Sequence, residues 1–264
     1  MNEFANGIRK RRVPWAQAEG GLAVFLCLLI ACDRQPGNAP SPANSVHNHQ
    51  DVASTLPQVD QRLCTGIVLL VDTSGSMEQE VPSRAGSARS KDEIAREAIQ
   101  RIIAYTDSWK AQHPDRSLRF GIHSFSSAAV QQLEIAEFNA ESANAAVSRL
   151  PAPAGGTAIG AAIRAGFESL YAAGCVRKYV VCITDGENTS GPKPERVARA
   201  LHRETGGDVE MYFVAFDTSA RHFAFLQDVN GSVVEAADGA QLDAQLADIY
   251  ERRILAEEMN LESP

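Results

Sequence analysis

Residues 66–76 read GIVLLVDTSGS, an apolar run followed directly by a cluster of polar side chains. The apolar part has the composition of a strand that is buried on both faces of a sheet. The polar part places the carboxylate of Asp72 and several hydroxyl groups just beyond the carboxyl end of that strand. The segment therefore predicts a parallel sheet with a polar site at the edge where its strands end.

Two later segments have the same character. Residues 155–157 (GGT) supply a further hydroxyl, and Thr184 and Asp185 follow the apolar run 179–183 (YVVCI). Because the carboxyl ends of parallel strands meet at one edge of a sheet, these oxygens should converge with those of the first segment. Hydroxyl and carboxylate oxygens, without thiol or imidazole, suit a hard divalent cation such as Mg²⁺. We therefore expect one metal site.

Strand-like and helix-like segments alternate after residue 62, which predicts an α/β domain with a mostly parallel sheet. We expect strands at 66–72, 118–125, 130–138, 178–183, 209–216 and 232–236, with 130–138 at an edge. We expect helices at 91–112, 142–150, 158–173, 194–205, 219–229 and 240–256; Ser90 caps the first and Gly174 closes the third. We expect residues 77–90 to form a loop beside the metal. This loop either shapes the choice of partner or is a disordered insertion.

The polar segments resemble the metal-ion-dependent adhesion site of von Willebrand factor type A domains, in motif and in element order over residues 64–256. The resemblance implies a Rossmann-like, doubly wound, six-stranded sheet with helices on both faces. It also implies an octahedral ion, Mg²⁺ or alternatively Mn²⁺ or Ca²⁺, held by five side chains: Asp72, Ser74, Ser76, Thr157 and Asp185. The hydroxyls would bind directly and the aspartates mostly through water, leaving one position for an Asp or Glu carboxylate of a protein ligand.

Two polar residues after Asp185 belong to the rim of this expected site. Glu187 and Asn188 either contact the ligand or cap the turn in which they lie.

Other classes of function are disfavoured. The net charge of −8 argues against a nucleic-acid partner. The sequence has no His-Glu-x-x-His pair, Gly-x-Ser-x-Gly turn or Walker A loop, and we expect His123 to be a packed residue, so we do not expect an enzyme. The main hypothesis is a metal-dependent protein-binding or adhesion module. The alternatives are a metal-independent scaffold of an envelope complex and, less favoured, a metal-dependent hydrolase.

The amino-terminal segment predicts export and lipid anchoring. The basic cluster 9–12 and the apolar run 22–31 indicate a signal peptide, residues 1–31. The sequence before Cys32 resembles a bacterial lipobox, so Cys32 would be acylated and would anchor the chain in a membrane; a plain signal peptide with an incidental cysteine is the alternative. By resemblance to a sorting rule, Asp33 favours the inner membrane, facing the periplasm. Residues 32–61 would form a flexible tether, 62–257 the domain and 258–264 a polar tail.

The remaining cysteines are Cys64, Cys175 and Cys182. Cys64 precedes one expected strand and Cys175 precedes another, and the two strands should be parallel neighbours. Both cysteines would then lie at the edge of the sheet opposite the metal, and we expect them to form a disulfide. Two free thiols are the alternative. Cys182 lies within a buried strand and is expected to be a core residue.

Overall fold

The computed structural model describes residues 56–256. Its strands are β1 (Arg62–Asp72), β2 (Glu80–Pro82), β3 (Ala88–Ser90), β4 (Leu118–Phe125), β5 (Ala129–Glu137), β6 (Cys175–Thr184), β7 (Val209–Phe216) and β8 (Gly231–Ala236). Its α-helices are α1 (Lys91–Gln112), α2 (Ala140–Ser148), α3 (Ile159–Ala173), α4 (Pro194–Thr205) and α5 (Gly239–Ala247). Short 3₁₀ segments cover Gly75–Glu78 and Ala220–Asp228, and a π-helical segment covers Asp248–Ile254. The expectations on residues 1–55 and 257–264, including Cys32, lie outside the described residues.

Six strands form one sheet in the order β5-β4-β1-β6-β7-β8, and all neighbours are parallel except the edge pair β4 and β5. The chain leaves β1 toward β4 on one side and later returns to β6 on the other. The switch point of this doubly wound sheet therefore lies between β1 and β6, where ligands bind in open α/β folds. The predicted fold class is confirmed.

Each face of the sheet is covered by helices. One core contains the apolar sides of α1, α2 and α5, and the other contains those of α3 and α4. The central strand β1 carries side chains into both, which is why residues 66–71 are apolar without alternation. No helix within residues 56–256 combines the length and the apolar character needed to cross a membrane.

Helix α1 shows how closely local sequence determines an element. It begins after Ser90, whose hydroxyl accepts a hydrogen bond from the backbone N–H of Glu93 at 3.2 Å. Its buried residues repeat at intervals of three and four, including Ile94, Ala98 and Ile102. Helix α3 ends at Gly174, which has a φ of 68° and so adopts the left-handed conformation expected of a glycine that terminates a helix.

Several segments differ from the sequence expectations. Residues 77–90 contain part of a 3₁₀ segment and the hairpin β2–β3, and Met77 within them is fully buried. Residues 219–229 form 3₁₀ turns with a non-helical Phe223. The last helix changes to a π-helix after α5. Leu56, in the expected tether, is buried, and its N–H donates to the carboxylate of Glu204 at 3.1 Å.

Cys64 and Cys175 are joined by a disulfide with a Cα–Cα distance of 4.8 Å. The two cysteines lie within β1 and β6 rather than in loops before them, because both strands begin earlier than expected. In the register of the two strands Cys175 lies opposite Arg62, two residues before Cys64, and the pairing shifts between Arg62 and Thr65. Cys182 is a buried free thiol, as predicted.

Candidate metal site

The residues of the expected site come from four places at one edge of the sheet. Asp72 is the last residue of β1, and Ser74 and Ser76 lie in the turn and 3₁₀ segment that follow. Thr157 precedes α3, and Asp185 follows β6. Since β1 and β6 are parallel neighbours with Val71 opposite Ile183, both aspartates lie at the switch point.

Asp72 is fully buried and held on both carboxylate oxygens. Its Oδ1 accepts from the backbone N–H of Ser74 at 2.8 Å, and its Oδ2 accepts from the hydroxyl of Thr184 at 2.6 Å. Burial raises the pKa of Asp72 to about 6; the hydrogen bonds from Ser74 and Thr184 oppose this rise and the charge of Asp185 adds to it. A cation in the site would favour the ionised form of Asp72.

The hydroxyls point into the same space. Ser74 Oγ and Ser76 Oγ are 3.2 Å apart, and Ser76 Oγ donates to Asp185 Oδ1 at 2.7 Å. A Cβ atom on Gly186 would lie 3.9 Å from both Ser76 Oγ and Thr157 Oγ1, so these two oxygens flank one position. The structure therefore brings together all five side chains of the expected site.

The loop that carries Thr157 is held against the turn after β1 by backbone contacts. Gly75 N–H donates to the carbonyl of Gly155 at 3.1 Å, and Ala154 N–H donates to that of Thr73 at 2.9 Å. Gly155 has a φ of 78°, and a Cβ there would lie 2.7 Å from Ser127 Oγ. The positive φ favours glycine at this position, and a side chain there would also displace the hydroxyl of Ser127.

The donors present fit a small divalent cation. Two oxygens at adjacent corners of an octahedron with bonds of ~2.1 Å lie ~3.0 Å apart, close to the observed separation of the two serine hydroxyls. A metal site made of three or more His, Cys, Asp or Glu side chains does not occur within residues 56–256. The candidate site therefore depends on hydroxyl groups and only two carboxylates, a neutral-rich oxygen set that suits Mg²⁺ better than a thiophilic ion.

Sequence reasoning missed one charged residue in the site. Lys91, the first residue of α1, places its Nζ 3.0 Å from Asp185 Oδ2 and 2.9 Å from Asp217 Oδ2. Burial would lower the pKa of Lys91, but the hydrogen bonds to Asp217 and Asp185 outweigh this effect and raise it. The available signal was a lysine in the first turn of a helix, where the helix dipole disfavours a positive charge.

The expected rim residues have different surroundings. Asn188 Oδ1 accepts from the backbone N–H of Gly160 at 3.3 Å, so Asn188 caps the start of α3. Glu187 is exposed and lies 3.3 Å from His222 Nε2. Of the two expected rim residues, Glu187 is therefore the more exposed.

His123 is a packed residue of β4, as expected. Its Nε2 is 2.9 Å from Ser169 Oγ, and burial lowers its pKa to about 4. It is therefore neutral at physiological pH, and it is not among the residues that converge on the candidate site.

Comparisons with known proteins agree with this architecture. Residues 66–247 match the family model of the von Willebrand factor type A domain. The chain is similar to the PilB minor pilin from Streptococcus sanguinis, at 15% identity and a TM-score of 0.61 over 79% of this chain and 65% of the pilin. It is also similar to the conserved hypothetical protein BatB from Bacteroides thetaiotaomicron, at 18% identity and a TM-score of 0.54 over 71% of this chain and 99% of BatB.

A third similar structure is a von Willebrand factor type A protein from Catenulispora acidiphila, at 22% identity and a TM-score of 0.54, over 71% of this chain and 42% of that one. The chain spans less than two thirds of the length of the pilin that it matches. A search of curated proteins gives no match. At these identities the structural likenesses show the fold.

Proposed function

Because the chain belongs to the von Willebrand factor type A domain family, we propose that it binds a protein ligand through a divalent cation. Domains of this family generally mediate protein–protein interactions rather than catalysis. The observation that carries the proposal is the convergence of Ser74, Ser76 and Thr157 hydroxyls with two aspartates at the switch point of the sheet.

The residues have separate roles in this proposal. The hydroxyls of Ser74, Ser76 and Thr157 would hold the ion, while Asp72 and Asp185 supply negative charge from hydrogen-bonded positions behind them. When bound, the ion supplies a positive centre that an Asp or Glu carboxylate of the ligand can complete. Neutral direct donors leave the ion with much of its charge, which favours an anionic partner group.

One specific observation favours the alternative of a metal-independent scaffold. Asp185 is already neutralised by Lys91 at 3.0 Å and hydrogen-bonded by Ser76, so this side of the site is stable without a cation. A scaffold contact would not need the ion, so whether partner binding depends on the metal distinguishes the two functions.

Capture from a membrane extract tests the proposed function. The immobilised wild-type chain should retain a protein partner in Mg²⁺ and release it in EDTA. Thr157→Val, which removes one hydroxyl donor, should retain at most about a tenth as much in Mg²⁺, since loss of one ligand of six weakens the site. Equal retention under all three conditions would contradict the metal-dependent function and support the scaffold.

We further propose that the domain is displayed on a bacterial membrane, facing away from the cytoplasm, by lipid on Cys32. This rests on the sequence around Cys32, which lies outside the described residues, and the disulfide is consistent with an oxidising compartment. Asp33 favours the inner membrane.

The Cys32→Ser variant tests the anchor. Wild-type protein should partition into the detergent phase after Triton X-114 separation, whereas Cys32→Ser should partition into the aqueous phase or keep its signal peptide. Cys182→Ser is the matched control, since it changes a cysteine that lies in the core, and should partition as the wild type does. Wild-type protein in the aqueous phase would refute the lipid anchor.

A further inference from the structure

Lys91 makes an ion-pair network inside the candidate site. Its Nζ contacts Gln79 Oε1 at 3.1 Å, Asp185 Oδ2 at 3.0 Å and Asp217 Oδ2 at 2.9 Å, and its side chain is only 3% exposed. An ammonium group has three protons, so these three acceptors satisfy it completely. The network therefore joins Gln79, just before β2, to Asp185 of the candidate site and to Asp217, just after β7.

Two features of the network are locally unfavourable. Lys91 is buried in the first turn of α1, where both desolvation and the helix dipole disfavour a positive charge. Asp217 has a φ of 52°, and among the described residues it is the non-glycine residue with a positive φ. Glycine would adopt this conformation without strain. Unfavourable conformations that persist at a contact point to a function of that contact.

We propose that Lys91 is an internal counter-ion that shares Asp185 with the divalent cation and thereby limits the affinity of the site. The inference rests on the proposed metal site. Without a cation, Lys91 offsets the repulsion between the two nearby carboxylates, Asp72 and Asp185. With a cation bound, two positive charges share the charge of Asp185 and repel each other, so binding is weaker than the oxygen donors alone would allow.

Asp217 makes this arrangement possible. Its carboxylate supplies a second negative charge to Lys91, and its backbone N–H donates to the carbonyl of Ala236 at 2.7 Å, which fixes its position. Lys91 therefore remains paired with Asp217 when the charge of Asp185 is drawn toward a cation. The ammonium group stays in the site in both states.

Calorimetric titration with Mg²⁺ tests the inference on the full chain. Lys91→Met should bind Mg²⁺ at least about tenfold more tightly than the wild type, because one nearby positive charge is lost. Lys91→Arg keeps the charge and should bind as the wild type does. The matched control is Lys178→Met, since Lys178 is also buried and pairs with Asp208 at 2.8 Å, but in the opposite half of β6, far from the site.

A second pair of variants covers the possibility that Lys91→Met does not fold, since it leaves both Asp185 and Asp217 without their counter-ion and Asp217→Asn removes one of these two charges. Asp217→Asn and the double variant Lys91→Met/Asp217→Asn differ only by the charge of Lys91, as the wild type and Lys91→Met do. The double variant should therefore bind Mg²⁺ more tightly than Asp217→Asn. Equal or weaker binding after loss of Lys91 in both backgrounds would overturn the inference. Tighter binding together with a partner contact that survives EDTA would support it and refute the proposed function instead.

Discussion

Replacement of both Cys64 and Cys175 by alanine should lower the free energy of unfolding by about 4 kcal/mol. The disulfide joins residues 111 apart in sequence, and closing a loop of that length removes conformational entropy from the unfolded chain by roughly this amount. For a domain of this size, each kcal/mol corresponds to about 2–4 °C. Thermal unfolding followed by circular dichroism should therefore show a melting temperature roughly 8–16 °C below that of the wild type.

Two controls separate the cross-link from the loss of side-chain packing. Cys182→Ala removes a buried thiol that makes no disulfide, so its melting temperature reports the cost of a small cavity alone. Dithiothreitol should lower the melting temperature of the wild type and leave the double alanine variant unchanged. A wild-type protein that yields Cys64 and Cys175 as separately alkylated peptides without reduction would show that the bridge is not formed.

The strands were predictable where the apolar run has polar residues at both ends. The runs at β4 and β7 have the bounds expected from sequence, since each strand is buried along nearly its whole length and is mostly apolar. Strand β1 begins at Arg62, before the expected start at residue 66. Arg62 and Leu63 are exposed, so the apolar pattern does not reveal that their backbone pairs with β6.

Two helical segments after β7 were less predictable because they deviate from the α-helical repeat. Ala220–Asp228 contains the apolar run 223–226, but Phe223 departs from helical geometry, with its buried ring beside that of Phe213. The π-helical segment buries Ile249, Tyr250 and Ile254 at spacings that an α-helix also allows. The helical pattern was therefore visible in both segments, and the type of helix depended on packing against the sheet.

The oxygen donors of the candidate site were predictable from sequence, whereas the buried Lys91 was not. Ser74, Ser76 and Asp185 are placed by strand ends, which a local pattern reveals. The contact between Lys91 and Asp217 depends on the order of the strands and on an aspartate with a positive φ, neither of which has a local sequence pattern. A buried ion pair between distant segments is a property of the assembled fold.

Saturating Mg²⁺ should raise the melting temperature of the wild-type domain, because an ion that binds only the folded state stabilises it by mass action. At a concentration a hundred times the dissociation constant, the gain in unfolding free energy is about 2.7 kcal/mol. This corresponds to roughly 5–10 °C for a domain of this size. Differential scanning calorimetry in Mg²⁺ and in EDTA measures the shift directly.

Thr157→Val should abolish this gain while leaving the metal-free melting temperature within about 2 °C of the wild type, since exchanging a hydroxyl for a methyl keeps the shape of the side chain. The loop is held through its backbone: Thr157 N–H donates to Thr189 Oγ1 at 2.8 Å, and its carbonyl accepts from Thr189 N–H at 2.9 Å. Valine keeps these contacts and removes only the hydroxyl that faces the site.

The matched control is Thr106→Val, which removes a buried threonine hydroxyl within α1, where Oγ1 donates to the carbonyl of Ile102 at 2.8 Å. This variant should lose some stability and keep the full response to Mg²⁺, since Thr106 lies in the helix interior rather than at the edge of the sheet. A wild-type melting temperature that is the same in Mg²⁺, Mn²⁺, Ca²⁺ and EDTA would refute the metal site. An equal response of Thr157→Val and the wild type would show that the ion binds elsewhere on the chain.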